Sequence, residues 1–405
     1  MNVKTIGREY GVLLLLGVLG IPIGAAIGAV DVLFGRVLLA VSAVRAAHVM
    51  PLLLFLAPIG VAIVWAYAKY GGISGKGMSL VFEVGHGKES NIPLRLVPFV
   101  MVSTWLTHLF GGSAGREGVA VQLGAALSHS VGKRLEAYIP DAARIFLITG
   151  MAAGFSGLFQ TPIAATLFAI EVLSVGSLAL SALIPAVTAS FTACWVSSAL
   201  GLEKFSVDVS AKLSMDLPLL GKLAVLGVLF GLTGGAFAWG LRQAKAQAAR
   251  ALPQPLVRIA VMGVCLSALL LLLHAGRYCG LGTNLISACF SGETVYSYDW
   301  LLKLALTIGT LAAGYQGGEV TPLFSIGATL GVLLSGIVGL PVQLTAALGY
   351  AAVFGSATNT ILAPVLIGAE VFGMSNLPYF FIVCVISFAC NRNASIYTKQ
   401  YVTQF

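Results

Sequence analysis

Four carboxylates in this chain stand where a carboxylate is costly. Glu117, Glu171, Glu319 and Glu370 lie in apolar or glycine-rich surroundings, whereas most other acidic residues fall in polar connecting stretches. An ionised carboxylate away from water needs a partner, a water-lined cavity or a proton. Glu117 and Glu319 come just past glycines, in "GGSAGREGVAVQLG" (111–124) and "GGEVTPLFSIGATLG" (317–331), and a new apolar run follows each. Both are therefore expected at helix N-termini, where unpaired N–H groups and the helix dipole favour negative charge. Such a site can hold an anion. It can also be filled by the protein's own carboxylate when no anion is there. The plainer alternatives are an ion pair between Glu117 and Arg116, and a simple cap for Glu319. Glu171 and Glu370 close long apolar runs and are read as structural anchors bonded to backbone or loop donors.

The elements that must position these groups are membrane helices. Of 405 residues, 58% are hydrophobic and only 9% charged, against about 25% charged in ordinary soluble domains. Apolar runs recur near 10–30, 49–68, 93–110, 143–173, 178–200, 218–241, 256–274, 300–313, 321–340, 343–372 and 377–390. A spanning helix needs about 20 apolar residues. Several runs are shorter or broken by glycine, which suggests re-entrant or half-helices buried in protein or lining a cavity. The apolar N-terminus has the look of a signal peptide, but it is read as a retained first helix because hydrophobic spans continue throughout. The net charge of +8 falls largely in short loops and reports orientation rather than nucleic-acid binding. The stretch 241–258 carries Arg242, Lys245, Arg250 and Arg258 with no acidic residue. It is placed in the cytoplasm together with the N-terminus, which carries Lys4 and Arg8. The six scattered cysteines and five histidines lack metal-ligand spacing, so neither a metal nor a cofactor is expected.

The chain also repeats itself. Residues 150–172 set over 349–371 are identical at nine of 23 positions, including Thr161/Thr360 and Glu171/Glu370. Upstream, 115–127 lies over 318–330, and "GKGMS" (75–79) has a glycine-rich counterpart in "CGLGTNLI" (279–286). Two related halves, about 10–202 and 216–402, are expected to meet near 202–216. Transporters built this way place their site at the repeat interface, on broken helices.

At these residues the chain resembles the CLC family of anion channels and anion/proton antiporters. "GREGVAVQLG" resembles its gating element, "GGEVTPLFSIGATLG" is similar to its second-half counterpart, and "GKGMSL" falls at its selectivity segment. "NASIYTKQ" lies where the family places a pore-lining tyrosine, and "GLGTNLI" resembles the start of a second-half helix. The resemblance implies an all-α polytopic membrane protein with the CLC fold, two inverted-topology repeats of tilted, broken and re-entrant helices. It implies a homodimer with one pore per subunit, formed by a single transmembrane domain over 1–405 without a nucleotide-binding regulatory domain. Glu117 would be the gating and proton-carrying glutamate. Tyr397 would donate its hydroxyl to the anion, and Gly115, Gly118 and Val320 would surround the anion.

The departures from the family pattern are Val119 for a proline, Val320 for a phenylalanine, and Glu319 for an apolar residue. Val172 replaces an internal proton-transfer glutamate. At the selectivity serine, ungapped alignment places Lys76 and a two-residue shift places Met78; Met78 is preferred because the pattern resembles the fluoride/proton antiporter branch. That resemblance suggests Glu319 and Thr321 as the inner proton route. The expected function is fluoride export in exchange for protons across a bacterial-type inner membrane. The alternative is a chloride-type exchanger or passive channel. An intramembrane hydrolase would need a nucleophile beside one of the histidines, and none has the sequence setting for it. A helix-only scaffold would leave the paired motifs unexplained.

Overall fold

The computed structural model describes residues 3–211, 213–391 and 394–402. The side chains of Lys4 and Arg8, and Asn393 of the C-terminal motif, lie outside the described residues. Helices follow in the order α1 (Val3–Ala47), α2 (Val49–Leu54), α3 (Leu56–Ala66), α4 (Met78–Gly85), α5 (Leu96–Leu109), α6 (Glu117–Leu135), α7 (Ala142–Phe159), α8 (Pro162–Glu171) and α9 (Leu183–Ala199). They continue with α10 (Leu217–Ala251), α11 (Pro255–Leu272), α12 (Thr283–Ser291), α13 (Asp299–Ala313), α14 (Val320–Val338), α15 (Val342–Thr358), α16 (Leu362–Phe372) and α17 (Leu377–Asn391). One short parallel pair joins β1 (Ser174–Val175) to β2 (Tyr401–Val402), returning the C-terminal segment to the end of α8.

Among the described residues, eight helical stretches are long and apolar enough to cross a membrane, and α5, α8 and α16 are shorter apolar helices. Leu14, Leu33, Trp195, Trp239, Val264, Leu272 and Ile337 are exposed on the outside, the pattern of helices solvated by lipid. The protein is a multi-pass, all-α membrane protein.

Two elements depart from what the sequence suggests, and a third is broken near glycines as expected. Helix α1 has 45 residues, about 68 Å at 1.5 Å per residue, so it must tilt or project beyond a hydrocarbon core of about 30 Å. The basic stretch expected among the loops is helical through Ala251, where it forms the last turns of α10. Leu56–Gly85 is a broken span: a π turn (Tyr67–Gly71) and a 3₁₀ turn (Gly72–Lys76) separate α3 from α4.

The core is made of two helix hairpins, α6–α7 and α14–α15, whose backbones nearly touch. A Cβ on Gly124 would run into the carbonyl of Gly150, and one on Gly327 into the carbonyl of Gly349. With little hydrophobic force between helices in lipid, close approach of small residues is what holds such pairs. Helices α7 and α15 are buried along nearly their whole length, and α6 and α14 are carried rigidly against them.

Candidate functional site

The glycine-rich loops before α6 and α14 meet head to head. Gly115 N–H donates to the Gly318 carbonyl at 2.5 Å, and Gly318 N–H donates back to the Gly115 carbonyl at 2.8 Å. No side chain is possible at the contact, because a Cβ on Gly115 would lie 2.8 Å from Pro322 Cδ and 3.0 Å from the Gly318 carbonyl oxygen. This two-way bridge points the N-terminal ends of α6 and α14 at one another. Gly115, expected among the anion ligands, therefore has its N–H engaged by the protein.

Glu117 is the first residue of α6 and fully buried. Its carboxylate reaches across to α14. Oε2 accepts from the Thr321 N–H at 3.1 Å and from the Thr321 hydroxyl, and from the Arg116 N–H at 3.3 Å. Arg116 Nε stands 3.6 Å from Oε1, which accepts no hydrogen bond among the described residues. The carboxylate thus occupies the N-terminus of a second helix, where free N–H groups and the dipole favour an anion. Its main hold is Thr321 rather than an ion pair with Arg116.

Glu319 precedes Val320, the first residue of α14, and caps none of that helix's N–H groups with its side chain. The simple-cap alternative is therefore not what this side chain does. Its carboxylate lies beside the first turn of α6, where a Cβ on Gly118 would be 3.9 Å from Glu319 Oε2. It also lines a cavity of about 290 Å³, as do Gly118, Met78, Tyr397 and Lys76.

Met78 opens α4, and Gly77 before it has φ +54°, a conformation suited to glycine. The α4 N-terminus therefore faces the same cavity as those of α6 and α14. Lys76 bonds Glu83 at 2.8 Å and Glu89 at 2.7 Å, and Glu83 also holds Lys399 at 3.1 Å. Tyr397 is buried, its ring stacked on Phe82 with centroids 5.0 Å apart. Its segment is pinned by Ile396 N–H to the Ala357 carbonyl and by Gln400 Nε2 to the carbonyls of Val172 and Thr358. Val172 presents no side-chain carboxylate there, and Val119 is buried in the first turn of α6.

Sequence reasoning missed several neighbours. Gln122 lines the cavity, its Nε2 donating to the Gly118 carbonyl at 3.1 Å. Lys245, on the basic end of α10, also lines it. Lys303 is fully buried and donates to Ser113 Oγ at 2.9 Å and to the carbonyls of Gly280 at 2.6 Å and Tyr278 at 3.2 Å. It thereby fixes the loop leading to Gly115. A lysine inside the apolar run 300–313 was the available signal.

Residues 59–392 match the family described as voltage gated chloride channel. A chloride/fluoride channel protein of Pseudomonas syringae pv. tomato is 34% identical over 359 residues, which cover 87% of this chain and 79% of that protein. The crystal structure of a CLC-type fluoride/proton antiporter superposes with a TM-score of 0.94 at 54% identity, covering 96% of this chain and 98% of the other. A slow cyanobacterial Cl⁻/H⁺ antiporter shares the fold, with a TM-score of 0.72 at 18% identity over 96% of this chain and 95% of the other. Helix N-termini meeting across a glycine bridge are thus found in a chain whose family match takes in both glycine-rich loops, and this chain belongs to the voltage gated chloride channel, or CLC, family.

Proposed function

We propose that this protein exports fluoride across a cell membrane in exchange for protons. The observation that carries the reading is Glu117 lodged on the N-terminus of α14, bonded to the N–H and hydroxyl of Thr321. A tethered carboxylate in an anion site does two jobs. Ionised, it competes with the permeant anion. Protonated, it loses its affinity for the helix end and leaves carrying a proton. Alternation between the two couples opposite movements of an anion and a proton. The similarity to a CLC-type fluoride/proton antiporter at 54% identity supports fluoride as the anion.

In this reading Met78, Gly118, Val320 and Tyr397 surround the anion path, and Gly115 shapes it through its bridge to Gly318. Glu319, open to the cavity beside Gly118, passes protons between the vestibule and Glu117, with Thr321 as the hydroxyl between them. The resemblance to the family supports two inverted halves, about 10–202 and 216–402, in a homodimer with one pore per subunit. Matching glycine contacts, Gly124–Gly150 and Gly327–Gly349, are in keeping with such halves. The basic end of α10 favours a cytoplasmic vestibule and a cytoplasmic N-terminus in a bacterial-type inner membrane.

The channel named in the Pseudomonas relative keeps a second reading open, in which anions pass without protons. The deciding experiment is fluoride efflux from proteoliposomes with simultaneous recording of proton uptake. Coupled uptake that drives fluoride against its gradient supports the exchanger. Fluoride flux without protons, or chloride carried as fast as fluoride, overturns it.

A further inference from the structure

A cleft of about 330 Å³ opens between α3 and α5 on the outside of the helix bundle, away from the anion cavity. Ile63 and Ala66 form one wall, Val102 and Leu106 the other, and Val102 is exposed at the rim. The only hydroxyls lining it, among the described residues, belong to Tyr67 and Ser103. They bond one another at 3.3 Å, and Ser103 Oγ also donates to the Phe99 carbonyl at 2.6 Å. The cleft therefore offers no unmatched polar group and suits hydrocarbon rather than water.

One end of the cleft is basic. There the Tyr67 and Phe99 rings meet edge to face, with centroids 5.2 Å apart. Arg95, just before α5, donates from Nη1 to the Tyr70 carbonyl at 3.4 Å, and Lys69 Nζ lies 5.1 Å from the Trp65 ring and 5.2 Å from the Tyr70 ring. Among the described residues, neither cation has a carboxylate at ion-pair distance. Trp65 and Tyr70 are both about half exposed, as aromatic residues are at the boundary between hydrocarbon and headgroups. Apolar walls that end at two unpaired cations at headgroup depth match one kind of molecule.

We propose that this cleft binds an anionic phospholipid, with an acyl chain between α3 and α5 and the phosphate on Arg95 and Lys69. Guanidinium is the better phosphate ligand because its planar fork bonds two oxygens at once, and Lys69 adds a point charge. The position has a consequence for transport. Helix α3 runs through the turns at 67–76 into Met78, and α5 runs through residues 110–116 into Glu117. A lipid wedged between them ties together the two backbone arms that carry the anion site.

The binding test uses the full chain purified in a neutral detergent, with phosphatidylglycerol or phosphatidylcholine added at equal concentration. Native mass spectrometry counts retained lipid, and thermal melting reads stabilisation. Phosphatidylglycerol should be retained and should raise the melting midpoint by several degrees; phosphatidylcholine should do neither. The double variant Arg95→Gln/Lys69→Gln should lose that response, and Arg95→Lys should keep part of it. Val102→Trp, which fills the cleft and leaves both cations, should lose it as well. Glycerol phosphate, which has the headgroup charge but no acyl chain, should have no effect. Equal response to the two lipids, an undiminished response in the double variant, or stabilisation by glycerol phosphate alone would each overturn the site. Only the transport arm rests on the exchange reading. In vesicles, wild-type fluoride efflux should rise several-fold with phosphatidylglycerol content, and the double variant should not respond. Selective binding with efflux indifferent to the lipid overturns the transport link alone.

Discussion

Glu171 and Glu370 exchange caps. Glu171, at the end of α8, accepts from the N–H groups of Ile361 at 2.6 Å, Leu362 at 3.1 Å and Ala363 at 3.3 Å at the start of α16. Glu370, near the end of α16, accepts from Ile163 at 3.3 Å and Ala164 at 2.8 Å at the start of α8. Each carboxylate is satisfied by the opposite helix's open N–H groups, so neither needs a proton or an anion to be stable there.

The first prediction follows directly. Glu171→Ala leaves three N–H groups at the start of α16, two part-buried and one buried, without their acceptor. Hydrogen bonds to a charged group contribute about 1.5–3 kcal/mol, so the variant should melt at lower temperature. Glu370→Ala should cost less, since it removes fewer bonds at a more exposed position. Proton-to-fluoride ratios in both should equal wild type. A changed ratio in protein of normal elution profile would instead place these residues on the proton route.

Glu117→Gln is the second. The amide keeps the shape but cannot take up and release a proton, and its NH₂ group faces donors on Thr321. Fluoride-driven proton movement should fall to the leak of empty vesicles. Retention of wild-type coupling would remove Glu117 from the mechanism.

How much of this was legible can be seen residue by residue. The helix starts at Glu117 and near Glu319 were readable because glycine followed by an apolar run marks an N-terminus locally. Glu171 and Glu370 were readable as anchors from their matching places in two similar segments, but their exchange of helices was not, because it joins residues about 190–207 apart in sequence. The Gly115–Gly318 bridge was hidden for the same reason. The end of α10 is helical although its charge marks it as a connecting stretch, because Ala, Gln, Lys and Arg are all good helix formers and "RQAKAQAARA" contains nothing else. Lys303 went unnoticed because one lysine hardly lowers the mean hydropathy of an apolar run.

Met78→Ser carries the third prediction. Fluoride holds its water more tightly than chloride, and a serine hydroxyl at the start of α4 would supply a donor that the soft Met78 thioether lacks. Chloride transport should improve several-fold relative to fluoride. Lys76→Ser should leave the ratio unchanged, because the Lys76 amine is bonded to Glu83 and Glu89. The opposite pattern would place Lys76 at the selectivity position.

Lys245 gives the fourth. Of the three lysines lining the cavity, Lys76 and Lys399 are paired with carboxylates, and Lys245 has no such partner among the described residues. Within the same cavity it has only the Glu319 carboxylate, beyond ion-pair distance, to offset it, and under the proposed function it would be a charge that an entering anion meets. A unit charge at about 4 Å in a water-like medium is worth roughly 1 kcal/mol, or about fivefold in affinity. Half-saturating fluoride should therefore rise about fivefold in Lys245→Gln, with recovery in Lys245→Arg. The difference should shrink at high ionic strength, where the Debye length falls to about 3 Å. A change in maximal rate with unchanged half-saturation would contradict a recruiting role.

The fifth prediction concerns Glu319 and Thr321. Thr321 binds the Glu117 carboxylate through both its N–H and its hydroxyl, and Glu319 lines the cavity that reaches Gly118 beside Glu117. The two are adjacent but offer different chemistry. A carboxylate can hold a proton between vestibule and gate; a hydroxyl can donate to ionised Glu117 and accept when Glu117 is protonated. Glu319→Gln should therefore abolish proton movement while the protein keeps its fold and elution volume, because this side chain caps nothing that the helix needs. Thr321→Val keeps the N–H contact to Glu117 and loses only the hydroxyl. It should slow exchange of both ions, leaving their ratio near wild type if the hydroxyl merely steadies the gate, and lowering proton movement further than fluoride if it relays. A purely structural Glu319 predicts something else, a small drop in melting temperature with coupling intact. Recording fluoride and proton fluxes on the same vesicles, with the melting midpoint of each variant, separates these outcomes. Wild-type coupling in Glu319→Gln would move the inner proton route away from this residue and toward Tyr397, which, like Tyr315, is a buried titratable group on the cavity wall.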